Sequence, residues 1–356
     1  MTKKYWFQIG IATIITLVII KLLLELNFLF TPFAIIIKTI LLPVIFGGAL
    51  YYLVEPIQRK LEEKKVPRWG SILIIILGMI IVLTIIVVAI APKINSQINS
   101  LIDNFPAYAA TVNEWRIFIM DRVGHMPDQV KQLLDSGIEN IESSAGKIGG
   151  GIFNFLQSVT SAVLTLVLVP FFFIFMLKDH EKFAPQVYSW FSGNFRIWLE
   201  KTLADIDHVL RSYIQGQMII SALLATLLLI GYSIAGLEYA LLLSVFALFM
   251  NVIPFFGPWI AFVPAAIIAL LQDPKMIIWV SLITLIAQQI DSQLITPNVM
   301  GKSLDIHPLT IITLLLAAGS IAGFLGILLA IPFYAVIRVI VRNIYDRRQM
   351  IKSAAT

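Results

Sequence analysis

Long apolar segments separated by short polar stretches run through most of the chain. Many of these segments reach about 20 residues, the length a helix needs to cross the hydrocarbon core of a bilayer, whereas barrel strands alternate over about ten residues. The pattern predicts an all-α fold. Specifically, it indicates a polytopic helical membrane protein with about eight transmembrane helices, including broken helices in the C-terminal half.

The hydrophobic pattern divides the chain into consecutive regions. We expect an N-terminal three-span membrane region (1–92), an extracytoplasmic amphipathic helical region (93–150), a fourth span (151–177), a cytoplasmic amphipathic segment (178–211), a C-terminal four-span membrane region with broken helices (212–340) and a basic cytoplasmic tail (341–356). Pro106 and Pro127 are expected to divide the extracytoplasmic region into two or three helices. Its apolar stripe is expected to pack within or between copies of the chain, so we predict a homo-oligomer.

Composition strengthens the assignment to the membrane. The chain is 59% hydrophobic and 13% charged, with a mean hydropathy of +0.90, values outside the range of ordinary soluble domains. Its net charge of +5 comes from basic residues at the ends of apolar runs, which indicates membrane orientation rather than nucleic-acid binding. The positive-inside rule places both termini in the cytoplasm.

One apolar run, from about Ala240 to Leu271, is too long for a single span. As a continuous helix its roughly 32 residues would extend about 48 Å, against a hydrocarbon core of about 30 Å. Prolines and a glycine break it, and backbone groups freed inside a bilayer must find partners in protein or in a water-lined cavity. The break is therefore a candidate site, formed by Asn251, Pro254, Phe255, Phe256, Gly257 and Pro258.

Two topologies fit this broken run. Counting crossings favours a spanning but broken helix, with the loop at 273–275 in the cytoplasm. The alternative is a re-entrant hairpin, which requires the last apolar run to be re-entrant as well if the C-terminal arginines are to stay inside.

A carboxylate in the seventh predicted span is the strongest candidate for chemistry. Asp291 lies near Gln289 and Gln293 in an otherwise apolar run, and an ionisable group within a span tends to face a cavity or a partner. The alternative is a helix end whose polar groups meet water. Gly319 and Gly323 interrupt the last run nearby, so three features converge on a pathway in the C-terminal half.

Enzyme chemistry is not indicated. The four histidines show no zinc-site spacing, and no phosphate-binding glycine loop of the P-loop type occurs. Without cysteine there is no thiolate nucleophile. We expect no catalytic residue, no metal and no cofactor.

Several motifs, in chain order, resemble the autoinducer-2 exporter family of bacterial membrane proteins. They are Val169–Phe173 leading to Leu177-Lys178-Asp179, Tyr213–Gln217, the break at Asn251–Pro258, Thr296–Ser303 with His307-Pro308, and Ala317–Gly319 through Gly323, Gly326 and Pro332. The last two motifs add Pro297, Gly301, His307 and Pro308 to the candidate pathway. In the family a carboxylate commonly stands before the Pro-Asn turn, as Asp291 does here. Phe255-Phe256 departs from the tyrosine or small residue often found there.

The resemblance implies a multi-pass transporter in a bacterial plasma membrane. Some family members are assigned to export of the quorum-sensing signal autoinducer-2, and others to extrusion of sodium or lithium in exchange for protons. Our first hypothesis is a secondary transporter or facilitator that exports a small polar solute, with an autoinducer-2-like signal as lead candidate. The alternative is a Na+(Li+)/H+ antiporter in which Asp291 binds the cation and a proton in turn. A third is a non-transporting membrane scaffold whose 93–150 helices bind partners. The expected partners are the lipid bilayer, a small solute or monovalent cation, and further copies of the chain.

Overall fold

The computed structural model describes residues 5–25, 27–123, 168–301 and 306–355, and all regular structure in those ranges is helical. The helices are α1 (Tyr5–Glu25), α2 (Asn27–Glu63), α3 (Arg68–Ala89), α4 (Ala91–Val123), α5 (Leu168–Ser189), α6 (Gly193–Ala235), α7 (Ala240–Met250), α8 (Phe256–Gln272), α9 (Met276–Ile290), a π-helical turn (Asp291–Ile295), α10 (Thr296–Met300) and α11 (Pro308–Ala355).

Five helical stretches in this part of the chain are long and apolar enough to cross a membrane, and shorter apolar helices accompany them. Their outer faces expose large aliphatic side chains. On α3, Ile81, Leu83 and Val88 are all more than half exposed, as expected where lipid rather than water is the solvent. The predicted class, a polytopic helical membrane protein, is confirmed.

Helix boundaries differ from those expected at prolines and at polar-to-apolar changes. α4 continues through Pro106, where we expected a division. α6 runs unbroken for 43 residues, so the amphipathic segment and the fifth span form one helix rather than two elements meeting near 211. A proline removes one hydrogen bond but need not end a helix that neighbours support. Pro127, the glycines at 149–151 and most of the fourth span lie outside the described residues.

The N-terminal membrane helices pack around a small core of their own. Tyr51 of α2, Ile72 and Ile75 of α3, and Phe173 and Leu177 of α5 are buried together. Gly47 makes this close approach possible, because a Cβ there would lie 3.0 Å from the Cβ of Phe172. The end of the fourth predicted span is thereby fixed against the second and third.

The broken run folds back on itself as a hairpin of α7 and α8, the first hairpin. At its base, Gln272 at the end of α8 accepts a hydrogen bond from the backbone N–H of Glu238 and donates one to the carbonyl of Gly236, both at 2.9 Å. Residues before α7 and at the end of α8 therefore lie at the same end of the bundle. Helices of this length rise only about 16 and 25 Å, so neither reaches across a core of about 30 Å.

The last run forms a second hairpin within α11, which is interrupted at Ala322 and Gly323. Gly319 lies against Ile327, and a Cβ at Gly326 would collide with the carbonyl oxygen of Ala318. Residues eight apart in a straight helix are about 12 Å apart, so these contacts require a reversal. The arms, 308–321 and 324–355, bury Ile311, Leu315, Ala330 and Ile331 in one cluster.

The two hairpins enter the bundle from opposite ends of α6. The base of the first lies beside Gly236, where α6 ends. The second arm of α11 returns to the other end of α6, where the side-chain amide of Asn343 donates to Thr202 Oγ1 and Asp205 Oδ2. This arrangement matches the double re-entrant alternative. Both ends of 240–271 lie at one end of the bundle, which favours the hairpin over a single broken span. The side of the membrane on which the 273–275 loop lies stays a prediction.

Candidate functional site

The tip of the first hairpin brings two helix ends together around Asn251. This residue is 3% exposed, and neither its side-chain oxygen nor its side-chain nitrogen has a hydrogen-bond partner among the described residues. Its backbone carbonyl accepts a bond of 2.6 Å from the side-chain amide of Gln217 on α6. A buried amide without partners costs about 1–3 kcal/mol for each unmade bond. Such a group marks a place where water, an ion or a solute can be bound.

Backbone strain holds this tip in shape. Phe255 has φ of 65° and ψ of −44°, a positive-φ conformation that an aromatic residue adopts at a cost of about 1–3 kcal/mol. Gly257 lies so close to the carbonyl oxygen of Met250 that a Cβ there would collide with it. Pro258 occupies the first turn of α8, where its missing N–H removes no helical bond. Strained positions of this kind cluster at functional sites.

The two tip phenylalanines face different surroundings. Phe255 is 53% exposed, whereas Phe256 packs against the cluster that contains Ile253, Tyr213 and Ile311. Through that cluster the tip of the first hairpin contacts α6 and the first arm of the second. Phe256 therefore contributes to packing, and Phe255 lies on the outer surface of this chain.

Two small hydroxyl side chains on α6 and α7, the two helices that lead to the tip, are also buried without partners in the described part of the chain. Ser221 is fully buried and Ser244 is 2% exposed, and the hydroxyl oxygen of each lacks a partner among the described residues. Gln217 precedes Ser221 by one helical turn. We call these four buried polar residues the polar track: Gln217 and Ser221 of α6, Ser244 of α7, and Asn251 at the tip.

Asp291 begins the π-helical turn between α9 and α10. Its carboxylate accepts a hydrogen bond of 2.8 Å from the hydroxyl of Thr296. π-Helical turns are rare and occur frequently at functional sites, because the widened turn loosens the backbone hydrogen bonding. Asp291 is half-buried, so its carboxylate is partly shielded by the protein and partly accessible from outside it.

The packing of α9 and α10 against α6 fixes how far Asp291 lies from the tip. Gly231 of α6 meets Ile283, and Gly216 meets Met300, so the helices run antiparallel. By this register Asp291 lies opposite the segment near Leu224, about 10 Å along α6 from Gln217. Asp291 and Asn251 thus lie at successive levels along one helix rather than in a single ligand shell.

The remaining predicted site residues lie around the hairpin tip and Asp291 rather than among the polar groups just described. Gln289, Gln293 and Pro297 are exposed on α9, the π-helical turn and α10. Gly301 has φ of 55° where α10 ends, and the imidazole Nδ1 of His307 accepts the N–H of Leu309 at 3.3 Å as α11 begins. Pro308 is the first residue of α11, and Gly319 and Gly323 lie at the turn of the second hairpin.

Helix α4 covers the base of the first hairpin. The side-chain oxygen of Gln97 accepts the backbone N–H of Leu242 at 2.9 Å, so it caps the first turn of α7 from another helix. Tyr108 donates a bond of 2.6 Å to Glu238 and lies 3.2 Å from the hydroxyl of Tyr239. Burial, and then the bond to Glu238, raises the pKa of Tyr108 above its ordinary value.

Sequence reasoning missed Gln217, Ser221 and Ser244 as site residues. Gln217 belongs to the motif Tyr213–Gln217, which carried only the resemblance, yet Tyr213 and Gly216 contact the second hairpin cluster and α10 as well. The available signal was an amide side chain inside a long apolar run, which is costly unless it has a partner. The serines carried no comparable signal, since small residues are ordinary at membrane helix contacts.

Two helical hairpins that enter the bundle from opposite ends, with buried polar groups at the tip of the first, are typical of membrane transporters built on broken helices. The chain belongs to the AI-2E family of transporters, because the sequence model of that family matches residues 10–346.

Relatives support this assignment over nearly the whole chain. YueF of Bacillus subtilis strain 168, named as a transport protein, is 34% identical over 337 residues, covering 92% of this chain and 90% of YueF. YrrI of the same organism, also named as a transport protein, is 31% identical over 335 residues and covers 94% of both chains. PerM of Escherichia coli K12, named as a permease, is 26% identical over 320 residues, covering 85% of this chain and 86% of PerM.

Proposed function

We propose that this chain is a secondary transporter or facilitator that exports a small polar solute along the polar track, with an autoinducer-2-like signal as lead candidate. The single observation that carries the proposal is the buried side chain of Asn251, whose two polar atoms have no partner among the described residues. A polar solute passing the hairpin tip would complete those hydrogen bonds. The neutral oxygens of Ser221 and Ser244 favour a solute with several hydroxyl groups over a strongly charged one.

The track is suited to passage rather than tight binding. Its groups are uncharged and are divided between α6 and the α7 arm of the first hairpin, so a solute could exchange one set of hydrogen bonds for the next without a deep minimum. The sequence contains no ATP-binding loop, so the driving force would be the solute gradient itself or an ion gradient.

The test compares stability with transport in one variant. Asn251→Ala removes the unpartnered amide, so we expect the unfolding temperature to stay the same or rise, while efflux of autoinducer-2 from loaded proteoliposomes falls about tenfold or more, the effect of losing about 1.4 kcal/mol at the site. Asn95→Ala, an exposed position on α4, is the matched control and should change neither quantity. If Asn251→Ala shows efflux at the wild-type rate, the polar track is not part of the pathway. Absence of autoinducer-2 efflux from the wild type would reject that solute.

A second candidate, Na+(Li+)/H+ antiport, is favoured by the carboxylate of Asp291 in its π-helical turn. Exchange would have Asp291 bind the cation and the proton alternately. Asp291→Asn keeps the oxygen that Thr296 contacts and removes only the charge, so folding should persist. Under this hypothesis, sodium dissipates an imposed pH gradient in wild-type proteoliposomes but not in Asp291→Asn. A wild type without any response to sodium or lithium excludes antiport.

A further inference from the structure

A polar cavity lies away from the hairpins, at the end of the bundle expected in the cytoplasm. It encloses about 240 Å³ between α2, α5 and α6, enough for a molecule of a few heavy atoms. The lining residues are Glu55, Gln58, Arg59 and Glu62 of α2, His180 and Glu181 of α5, and Arg211 of α6. The cavity therefore joins the N-terminal helices to the C-terminal ones.

Most of its charged groups already have partners in the protein. Arg211 donates to Glu55 Oε1 at 2.9 Å and to Asp207 Oδ2 at 2.8 Å. Arg68 donates to Glu181 Oε2 at 2.8 Å, and this bond lowers the pKa of Glu181 below its ordinary value. These ion pairs hold the cavity walls in position, but other polar atoms of the walls do not take part in them.

Two buried polar atoms in the cavity wall have no partner among the described residues. They are the side-chain oxygen of Gln58 and Nε of Arg211. Gln58 is only 1% exposed, and its nitrogen is already held by Glu62 and by the carbonyl of Leu177, each at 3.0 Å. Its orientation is therefore fixed, with the oxygen left over. A buried acceptor and a buried donor both remain to be satisfied.

The charges of the lining indicate which class of ligand the cavity would bind. With the ion-pair partners included, four carboxylates face three guanidinium groups, so the wall and its partners are negative by one unit and attract a cationic group. The carboxylates are Glu55, Glu62, Glu181 and Asp207, and the guanidinium groups are Arg59, Arg68 and Arg211. Arg59, exposed at the edge, has no ion-pair partner in the described part of the chain and so offers a place for an anion. The described residues contain no group of three ligand side chains arranged for a metal ion, which favours an organic cation.

We propose that this cavity is a binding site for a small zwitterion that carries an ammonium and a carboxylate group. The ammonium donates to the side-chain oxygen of Gln58, next to Glu55 and Glu62. The carboxylate accepts from Arg59 at the cavity edge. A simple amine would satisfy Gln58 alone, and a simple carboxylate would satisfy Arg59 alone while opposing the negative wall. The site is separate from the polar track, so this assignment does not depend on which solute is exported.

The test uses three probes: L-alanine, ethylamine, which lacks the carboxylate of L-alanine, and propionate, which lacks its ammonium group. Titration calorimetry on the full chain in phosphatidylglycerol nanodiscs, which lack amine head groups, measures each affinity. We expect L-alanine to bind at least about tenfold more tightly than ethylamine, since one charge-assisted bond at a partly exposed site contributes about 1.4 kcal/mol. Propionate should bind most weakly. Equal affinities for L-alanine and ethylamine, or no binding of L-alanine, would overturn the proposal.

Substitutions locate the site. Arg59→Gln should weaken L-alanine binding about tenfold and leave ethylamine unchanged. Lys60→Gln, at the adjacent exposed position outside the lining, is the matched control and should leave all affinities unchanged. Both positions are exposed, so unfolding temperatures should equal that of the wild type. If Arg59→Gln and Lys60→Gln bind L-alanine alike, the carboxylate does not lie at Arg59 and the assignment is wrong.

Discussion

At the scale of single residues, the hairpin tip combines several features that lower stability. Asn251 has two buried polar atoms without a partner among the described residues, and Phe255 adopts a backbone conformation with positive φ. Each of these costs about 1–3 kcal/mol in a fold whose total stability is of the order of 10 kcal/mol. A purely structural turn could avoid both with a glycine and an apolar side chain. Their presence together supports a binding role for the tip.

Gly257 tests how closely this tip must pack. In Gly257→Ala the new methyl group would meet the carbonyl oxygen of Met250, so the tip must open, and we expect about 2 kcal/mol of destabilisation together with loss of transport. Gly78→Ala on α3 is the control, because a Cβ there meets nothing within 4 Å, and alanine should stabilise the helix by up to about 1 kcal/mol. Unfolding in nanodiscs measures both. Equal stabilities would show that the tip is not closely packed.

At the scale of helices, the sequence predicted where the apolar run breaks. It did not predict whether the chain continues in the same direction after the break or reverses. Prolines and glycines removed backbone bonds at 251–258, and a run of about 32 residues could not fit one span. The reversal depends on contacts distant in sequence, such as Gln272 with Gly236 and Ala318 with Gly326. Crossing counts favoured a spanning helix but did not exclude the hairpins. Two additional spans and two re-entrant hairpins both leave the C-terminus on the same side of the membrane as the N-terminus.

Single cysteines distinguish the two arrangements directly, because the chain contains none. Glu238→Cys and Lys275→Cys flank the first hairpin, whose ends are joined through Gln272. We expect a membrane-impermeant maleimide to label both in intact cells. Lys64→Cys, in the basic loop expected in the cytoplasm, should react only after permeabilisation. If Lys275→Cys behaves like Lys64→Cys while Glu238→Cys is labelled, the run spans the membrane and the hairpin is wrong.

At the scale of the whole molecule, a polar network connects the N-terminal helices to α6, the helix that both hairpins contact. Arg211 of α6 pairs with Glu55 of α2, Tyr52 donates to Asp207 at 3.0 Å, and Gln215 donates to the carbonyl of Tyr52 at 2.6 Å. These bonds lie within about three helical turns of Gln217, whose side chain is hydrogen-bonded to the hairpin tip. Movement of α2 relative to α6 would therefore reach the tip through one rigid helix.

The contribution of this network can be measured with a double-mutant cycle. Arg211→Met leaves the carboxylate of Glu55, whose side chain is 9% exposed, without its partner, and we expect a loss of about 3 kcal/mol of unfolding free energy. Glu55→Gln in the same chain removes the unpaired charge, so the double variant should recover most of that loss. Lys182→Met breaks the exposed pair with Asp179 and should have no measurable effect. Additive losses in the double variant would show that Arg211 and Glu55 are not coupled.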